Sequence, residues 1–286
     1  MTWSRRQLIA ATVPVTMLAL VGCGTEAKST GQESSPESSA TSAVPGLLLL
    51  RQAGLLSAAP TEHVLQQSIW LMHETELSRS SLVRVDGETP MVAHDGRRML
   101  VVLDGSLRLE SLDRQELAPT GAYVDIPSGV AYRMVPVDGT TPLAVSFEVP
   151  KVALHEANSG PFGLESRAVS ELVRSQESIM AGPPSWDDPS DRGWTLAKTP
   201  ELRVNLVDMV TDLKNHLHPD ADHSLILLSG GARVVTPNEE QNLTVGNYVS
   251  IPAGVPHKYL IDNGQRALFV SFDAPAYDSA KTVYLE

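Results

Sequence analysis

The stretch from His216 to Gly264 carries the residue types best suited to chemistry. His216, His218 and His223 fall within eight residues, and His257 follows after a strand–turn–strand unit. In a β-strand, residues i and i+2 point to the same face. Both His216 and His218 can therefore aim into one cavity. Neutral imidazole is the commonest metal ligand, and the set would offer nitrogen donors at about 2.0–2.1 Å from a zinc-like ion. An all-imidazole shell favours iron, nickel, copper or zinc, leaves manganese possible, and suits magnesium and calcium poorly. It leaves the ion's charge uncompensated, with positions open for water, oxygen or an anionic substrate. A lone histidine would read as a satisfied core or surface group; three in eight residues and a fourth after a strand–turn–strand unit are hard to explain as solvent decoration.

Residues around the set have supporting roles to offer. Tyr259 lies two positions after His257 and can share its inward face, either near the ion as a substrate contact or as a core aromatic. Asp220 and Asp222 could accept imidazole N–H groups, although loop carboxylates are more often solvated. His63, His73 and His155 fall outside any such spacing and read as surface or structural.

The elements that position these residues are short strands and tight turns. Gly246, Pro252, Gly254 and His257 stand as G-x5-P-x-G-x2-H, where proline ends a strand and glycine permits positive φ. Together with His216-x-His218-x4-His223-x6-Gly230, this spacing resembles the two signature motifs of the cupin superfamily. Two positions depart from the pattern: Val210 stands where the first motif's leading glycine would be, and His223 stands where that family carries glutamate. The resemblance implies a small antiparallel barrel with a divalent metal inside it, here held by His216, His218, His223 and His257.

The body of the chain is an internal repeat. Aligning Arg98 with His223, the chain runs without a gap to Pro150 and Pro275. Gly105 matches Gly230, the run Gly121 to Val130 matches Gly246 to Val255, and Val145-Ser146-Phe147 matches Val270-Ser271-Phe272. With one residue dropped upstream, Trp70 matches Trp194 and Leu82-Val83 matches Leu206-Val207. The expected fold is all-β: two tandem cupin barrels of the double-stranded β-helix or jelly-roll type, each preceded by a short helix, near Gly46 to Ser57 and Ser166 to Met180. The segment Arg203 to Asp208 alternates as a strand, with its inward face left open. The expected divisions are an N-terminal barrel at 46–150, a linker at 151–168 and a C-terminal barrel at 169–286.

The first barrel has lost the ligand set. At matching positions it carries Val92, His94, Arg98 and Tyr132. One histidine cannot hold a catalytic ion, and a guanidinium beside it would repel one. Arg98, His94 and Tyr132 could form an anion or substrate pocket; a barrel kept for packing is the favoured alternative.

Composition bounds the partners. The formal charge of −12, with no basic stripe in the body, argues against nucleic acid. The one cysteine, Cys23, excludes a disulfide within the chain. Arg5 and Arg6 precede an apolar run from Leu8 to Val21, an export signal. It ends Leu20-Val21-Gly22-Cys23, which resembles a bacterial lipobox and implies a signal peptide at 1–22, lipidation at Cys23 and membrane attachment; an uncleaved membrane helix is the weaker alternative. Ser4-Arg5-Arg6-Gln7-Leu8 is similar to a twin-arginine export motif. Residues 23–45, rich in Ser, Thr, Glu and Pro, read as a flexible tether.

Two functions fit. One is an extracytoplasmic, metal-dependent enzyme acting on a small organic molecule, with dioxygenase-like or related chemistry. The other is a surface lipoprotein that binds or senses a small ligand or a metal. An open coordination position beside an apolar pocket would favour the enzyme, and a closed site would favour capture. Monomer and homodimer are both compatible with two barrels in one chain.

Overall fold

A computed structural model describes residues 46–151, 154–156, 171–261 and 264–285, the short stretch 154–156 by its backbone alone. The expectations placed on residues 1–45, the beginning of the second expected helix and the side chain of His155 lie outside the described residues.

The chain folds into two antiparallel barrels. The larger sheet of the first runs, in spatial order, Val173–Ser175, Ala122–Ile126, Arg97–Asp104, Leu143–Val149, Arg79–Val85, Gln67–Glu74 and Glu62–Val64. That of the second runs Leu48–Leu50, Tyr248–Ile251, Asp222–Ser229, Ala267–Ala274, Arg203–Met209, Asp191–Lys198 and Trp186–Asp187. Smaller sheets complete each barrel, including Val92–His94 with Tyr132–Pro136 in the first and Ala232–Val235 with Lys258–Ile261 in the second.

The repeat extends to strand register. Arg98 lies opposite Ile126 and Glu148, and His223 lies opposite Ile251 and Asp273. Val92 faces Tyr132 as His216 faces His257. Gly129 and Gly254 both sit at φ 76°, and their N–H groups donate at 2.8 Å to the carbonyls of His94 and His218. A side chain there would be forced into the left-handed region. Gly230 is also sterically required, because a Cβ would meet the Arg266 carbonyl oxygen at 1.9 Å.

Strand pleating divides the apolar residues between three cores. In Arg97–Asp104, Leu100 and Val102 fill the first barrel, while Met99 and Val101 face the second. In Asp222–Ser229, Leu225 and Leu227 fill the second barrel, while Ile226 faces the first. The shared core between barrels is built from repeat mates: Trp70 with Trp194, Tyr123 with Tyr248, and Phe147 with Phe272, the last two rings stacked on one another. In Arg203–Met209, Val204 and Leu206 belong to this shared core. Arg203, Asn205 and Val207 therefore form the inward face.

The segments ahead of the barrels differ from the helices expected. Each begins as a strand and only then turns into a helix, Leu48–Leu50 before Gln52–Ser57 and Val173–Ser175 before Gln176–Ala181. The two strands are exchanged. Leu48–Leu50 pairs with Tyr248–Ile251 of the second barrel, and Val173–Ser175 pairs with Ala122–Ile126 of the first. Each arm covers a sheet edge that would otherwise present unpaired backbone groups. The six-residue helices are too short to hold alone. The indole N–H of Trp70 donates to the Ala58 carbonyl at 2.9 Å and that of Trp194 to the Gly182 carbonyl at 3.0 Å, tying the end of each helix to its own barrel. A local sequence pattern contains the helix but not the arm exchange, which depends on a sheet edge far along the chain.

Candidate metal centre

Backbone pairing assembles the histidines. His216 and His257 exchange backbone hydrogen bonds of 2.8 and 2.9 Å across an isolated bridge. Their rings stand 4.4 Å apart, and the ring of His218 lies 5.2 and 5.4 Å from them. One ligand atom from each of the three lies within 4.8 Å of the others, and all three residues are buried.

Hydrogen bonds select the tautomers. The Nδ1 of His216 lies 2.8 Å from the Lys214 carbonyl, and that of His257 lies 2.9 Å from the Val255 carbonyl. A carbonyl oxygen only accepts, so each Nδ1 carries the proton and each Nε2 presents a lone pair. Burial first, and then His223, holds His216 below the ordinary imidazole range, against the opposing pull of the Lys214 carbonyl and Asp191. Burial first, then the neighbouring imidazoles, holds His218 and His257 well below it. Neutral donors result. Two of their ring atoms, His218 Nδ1 and His257 Nε2, are buried without a hydrogen-bond partner. Orphaned polar atoms at this depth are costly unless something binds them. The donor type, protonation and convergence of these residues all fit a divalent transition ion.

His223 lies beside these three histidines. Its ring is 4.9 Å from that of His218 and 5.5 Å from that of His257. Its Nδ1 lies 2.6 Å from Oδ1 of the buried Asp273. Such a carboxylate–imidazole pair fixes the tautomer and orients the ring. Asp273 escaped the sequence reading, although the repeat carried a signal: it aligns with Glu148, so both barrels keep an acid there. Asp220 and Asp222 take other partners, in line with the solvated reading favoured for loop carboxylates. Asp222 accepts from the Ala253 N–H at 2.9 Å, and Asp220 pairs with Lys281 at the surface. Asp220 lies in the turn and Asp222 opens the strand Asp222–Ser229, where a surface lysine and the facing backbone take them up.

Tyr259 shares the inward face as expected, with its ring 5.6 Å from that of His257 and its hydroxyl buried without a partner. Burial, and then the charge of Asp273, pushes that hydroxyl well above the ordinary tyrosine range. A cavity of about 330 Å³ adjoins the site, bounded by His216, His218 and His223, by Arg203 and by Tyr277 from the C-terminal segment. Its lining includes the exposed residues Asp188 and Ser279, so it reaches solvent. The ring of Tyr277 packs 4.4 Å from that of His218. Burial, then Asp273, pushes its hydroxyl up to about 12. Arg203 and Tyr277 lie 13 residues before and 20 residues after the span His216 to His257, which is why motif spacing missed them.

The matching place in the first barrel is closed. Arg98, His94 and Tyr132 are fully buried. The Arg98 guanidinium donates to Ser146 Oγ at 2.9 Å, Tyr132 Oη at 2.8 Å and Gln67 Oε1 at 3.1 Å, with Glu148 Oε1 3.5 Å away. A cation on the protein thus sits where the second barrel gathers imidazoles. The pocket suggested for these residues is a sealed network with no space for a substrate, because the guanidinium is long enough to reach across the barrel.

Residues 209–272, a span that contains all four histidines, match the cupin domain family. Comparison with curated proteins gives no match. Among solved structures, an oxalate decarboxylase variant from Bacillus subtilis is similar at a TM-score of 0.58 and 12% identity, over 83% of this chain and 79% of that one. The oxalate decarboxylase–formate complex from Lactobacillus farciminis gives 0.57 and 12%, over 83% and 88%. A cupin 2 conserved barrel domain protein from Leptotrichia buccalis gives 0.56 and 12%, over 78% and 94%. Residues 209–272 thus resemble the cupin domain family, and the chain shares the fold of these solved structures.

Proposed function

We propose that this chain is an extracytoplasmic, lipid-anchored bicupin whose C-terminal barrel uses one divalent transition metal to act on a small organic molecule. The observation that carries the reading is the convergence of His216, His218 and His257, with two Nδ1 atoms tied back to carbonyls and two ring nitrogens orphaned. His216, His218 and His257 would hold the ion. His223, whose Nδ1 is taken by Asp273, is the fourth donor expected from the motif.

The chemistry such an ion supplies is Lewis-acid polarisation or oxygen activation, of the dioxygenase-like or related kinds that cupins host. The other steps belong to the chain's own residues. The carbonyls of Lys214 and Val255 fix the rings of His216 and His257. Asp273 orients His223. Tyr259 keeps its hydroxyl proton, available to donate a hydrogen bond. The adjoining cavity favours catalysis over simple metal capture, because a closed site would need no such space. Manganese belongs among the candidates alongside iron, nickel, copper and zinc: the oxalate decarboxylase of Bacillus subtilis has Mn(II) centres.

Metal analysis of the full-length protein beside a His216→Ala/His218→Ala variant tests this. About one equivalent of a transition metal, absent from the variant, is expected. No metal in either protein after reconstitution rejects the reading. Anchoring through Cys23 and twin-arginine export rest on the residues quoted above; Arg5→Lys/Arg6→Lys should block delivery of the folded protein, and unchanged surface display would reject that export route.

A further inference from the structure

The two barrels carry matched arginines with opposite surroundings. Arg79 and Arg203 occupy the same place in the repeat: Arg79 lies opposite Glu74 and Glu148, and Arg203 lies opposite Lys198 and Asp273. In the first barrel the guanidinium is neutralised by Glu74 at 2.9 Å and Glu62 at 3.1 Å. In the second barrel both acids are gone. Lys198 stands at the position of Glu74, and Trp186 at that of Glu62.

Arg203 is therefore a buried cation with no ion pair among the described residues. Its contacts among the described residues are Asn205 Oδ1 at 3.2 Å and the rings of Trp186 and Tyr277, whose centroids lie 5.5 and 5.0 Å from Cζ. No described carboxylate pairs with it. Asp273, its neighbour across the sheet, engages His223 through Oδ1, and its Oδ2 makes no hydrogen bond to Arg203. Arg203 lines the cavity that also contains His216, His218 and His223. A buried unpaired charge is strongly disfavoured unless a partner arrives. The aromatic neighbours stabilise the cation but do not neutralise it.

We infer that Arg203 is the anchor for a carboxylate group of the substrate, making the substrate class a small organic monocarboxylate. A planar guanidinium matches a carboxylate through paired N–H donors. Asp188 and Asp191 also line the cavity, and their charge opposes a dianion such as phosphate. Its volume of about 330 Å³ suits a small molecule. The inference rests on the proposed function in taking this cavity as the substrate cavity.

Calorimetric titration of the full-length protein with acetate, glycolate and benzoate tests it, with acetamide and inorganic phosphate as controls and metal content read on the same samples. At least one carboxylate should bind, with acetamide silent. Arg203→Gln should weaken that binding at least about tenfold with metal content unchanged. Lys198→Glu, a change at an exposed position that returns the acid found beside Arg79, should weaken it too and does not depend on altering the buried site. Wild-type affinity in either variant, phosphate binding tighter than every carboxylate, or no carboxylate binding by the wild type would overturn the assignment. Carboxylate binding without metal would reject the metal reading and leave this one standing; metal without carboxylate binding would do the reverse.

Discussion

Arg98 of the first barrel and His223 of the second occupy one register position, each facing an acid on the last long strand of its sheet, Glu148 and Asp273. The same framework holds a guanidinium–carboxylate network in one barrel and a carboxylate-oriented imidazole beside a histidine cluster in the other. Duplication followed by divergence at a few inward positions accounts for both. The closed barrel can then serve packing while the open one keeps a cavity.

Asp273 tests the role of His223. Asp273→Asn keeps the size but removes the charge that orients the ring. If His223 joins the ion, metal affinity measured by chelator competition should fall about 10–100-fold. Unchanged affinity would place the ion on His216, His218 and His257 alone.

Arg98→Met should destabilise the first barrel by about 3–5 kcal/mol, because it strands Glu148 in the interior. Arg98→Met/Glu148→Gln should recover much of the loss, since no charge is then left buried. Urea unfolding checks both. Metal content should be unaffected, and a loss of metal in Arg98→Met would show coupling between the barrels that the closed network does not explain.

Glu148 also sets a pH dependence. Burial raises its pKa, but His94 and the Arg98 charge more than offset this, and the folded value lies below the ordinary 4.5. A carboxyl with a lowered folded value contributes its stability in full above the unfolded value and loses it as pH falls through the folded one. The urea midpoint of wild type should thus exceed that of Glu148→Gln at about pH 7, and the gap should close below about pH 4. A constant gap would mean that the side chain's packing and not its charge is responsible.

The exchanged arm can be tested locally. Leu49 packs against the interior core of the second barrel, so Leu49→Asp should cost about 1.5 kcal/mol, at the lower end for a leucine because it is only half-buried. Amide exchange should quicken in Tyr248–Ile251, its partner strand, while Ala122–Ile126 keeps its protection. Faster exchange in both strands alike would indicate general loosening instead.

At the shared core, Phe272→Ala should cost about 3–5 kcal/mol. Combined with Phe147→Ala it should fall short of additivity, since each ring has already lost its stacking partner. Thermal denaturation of the two single variants and the double variant measures the coupling, and strict additivity would mean that the two rings pack independently.

The sequence by itself determined the all-β class, the duplication and the turns at Gly254 and Gly129, and it offered His216, His218, His223 and His257 as one ligand set. These rest on local rules: alternation along a strand, glycine at positive φ, and residue spacing within one motif. It also disclosed that the first barrel had lost its ligands. Only the tertiary structure decided that Asp273 rather than Asp222 serves a histidine, that Arg203 faces the cavity, and that the arms are exchanged. Each depends on which strand lies beside which and on which side of the pleat turns inward. A strand with apolar residues on both faces, such as Asp222–Ser229, gives its periodicity no way to choose between barrel interior and shared core. Packing one barrel against the other makes that choice.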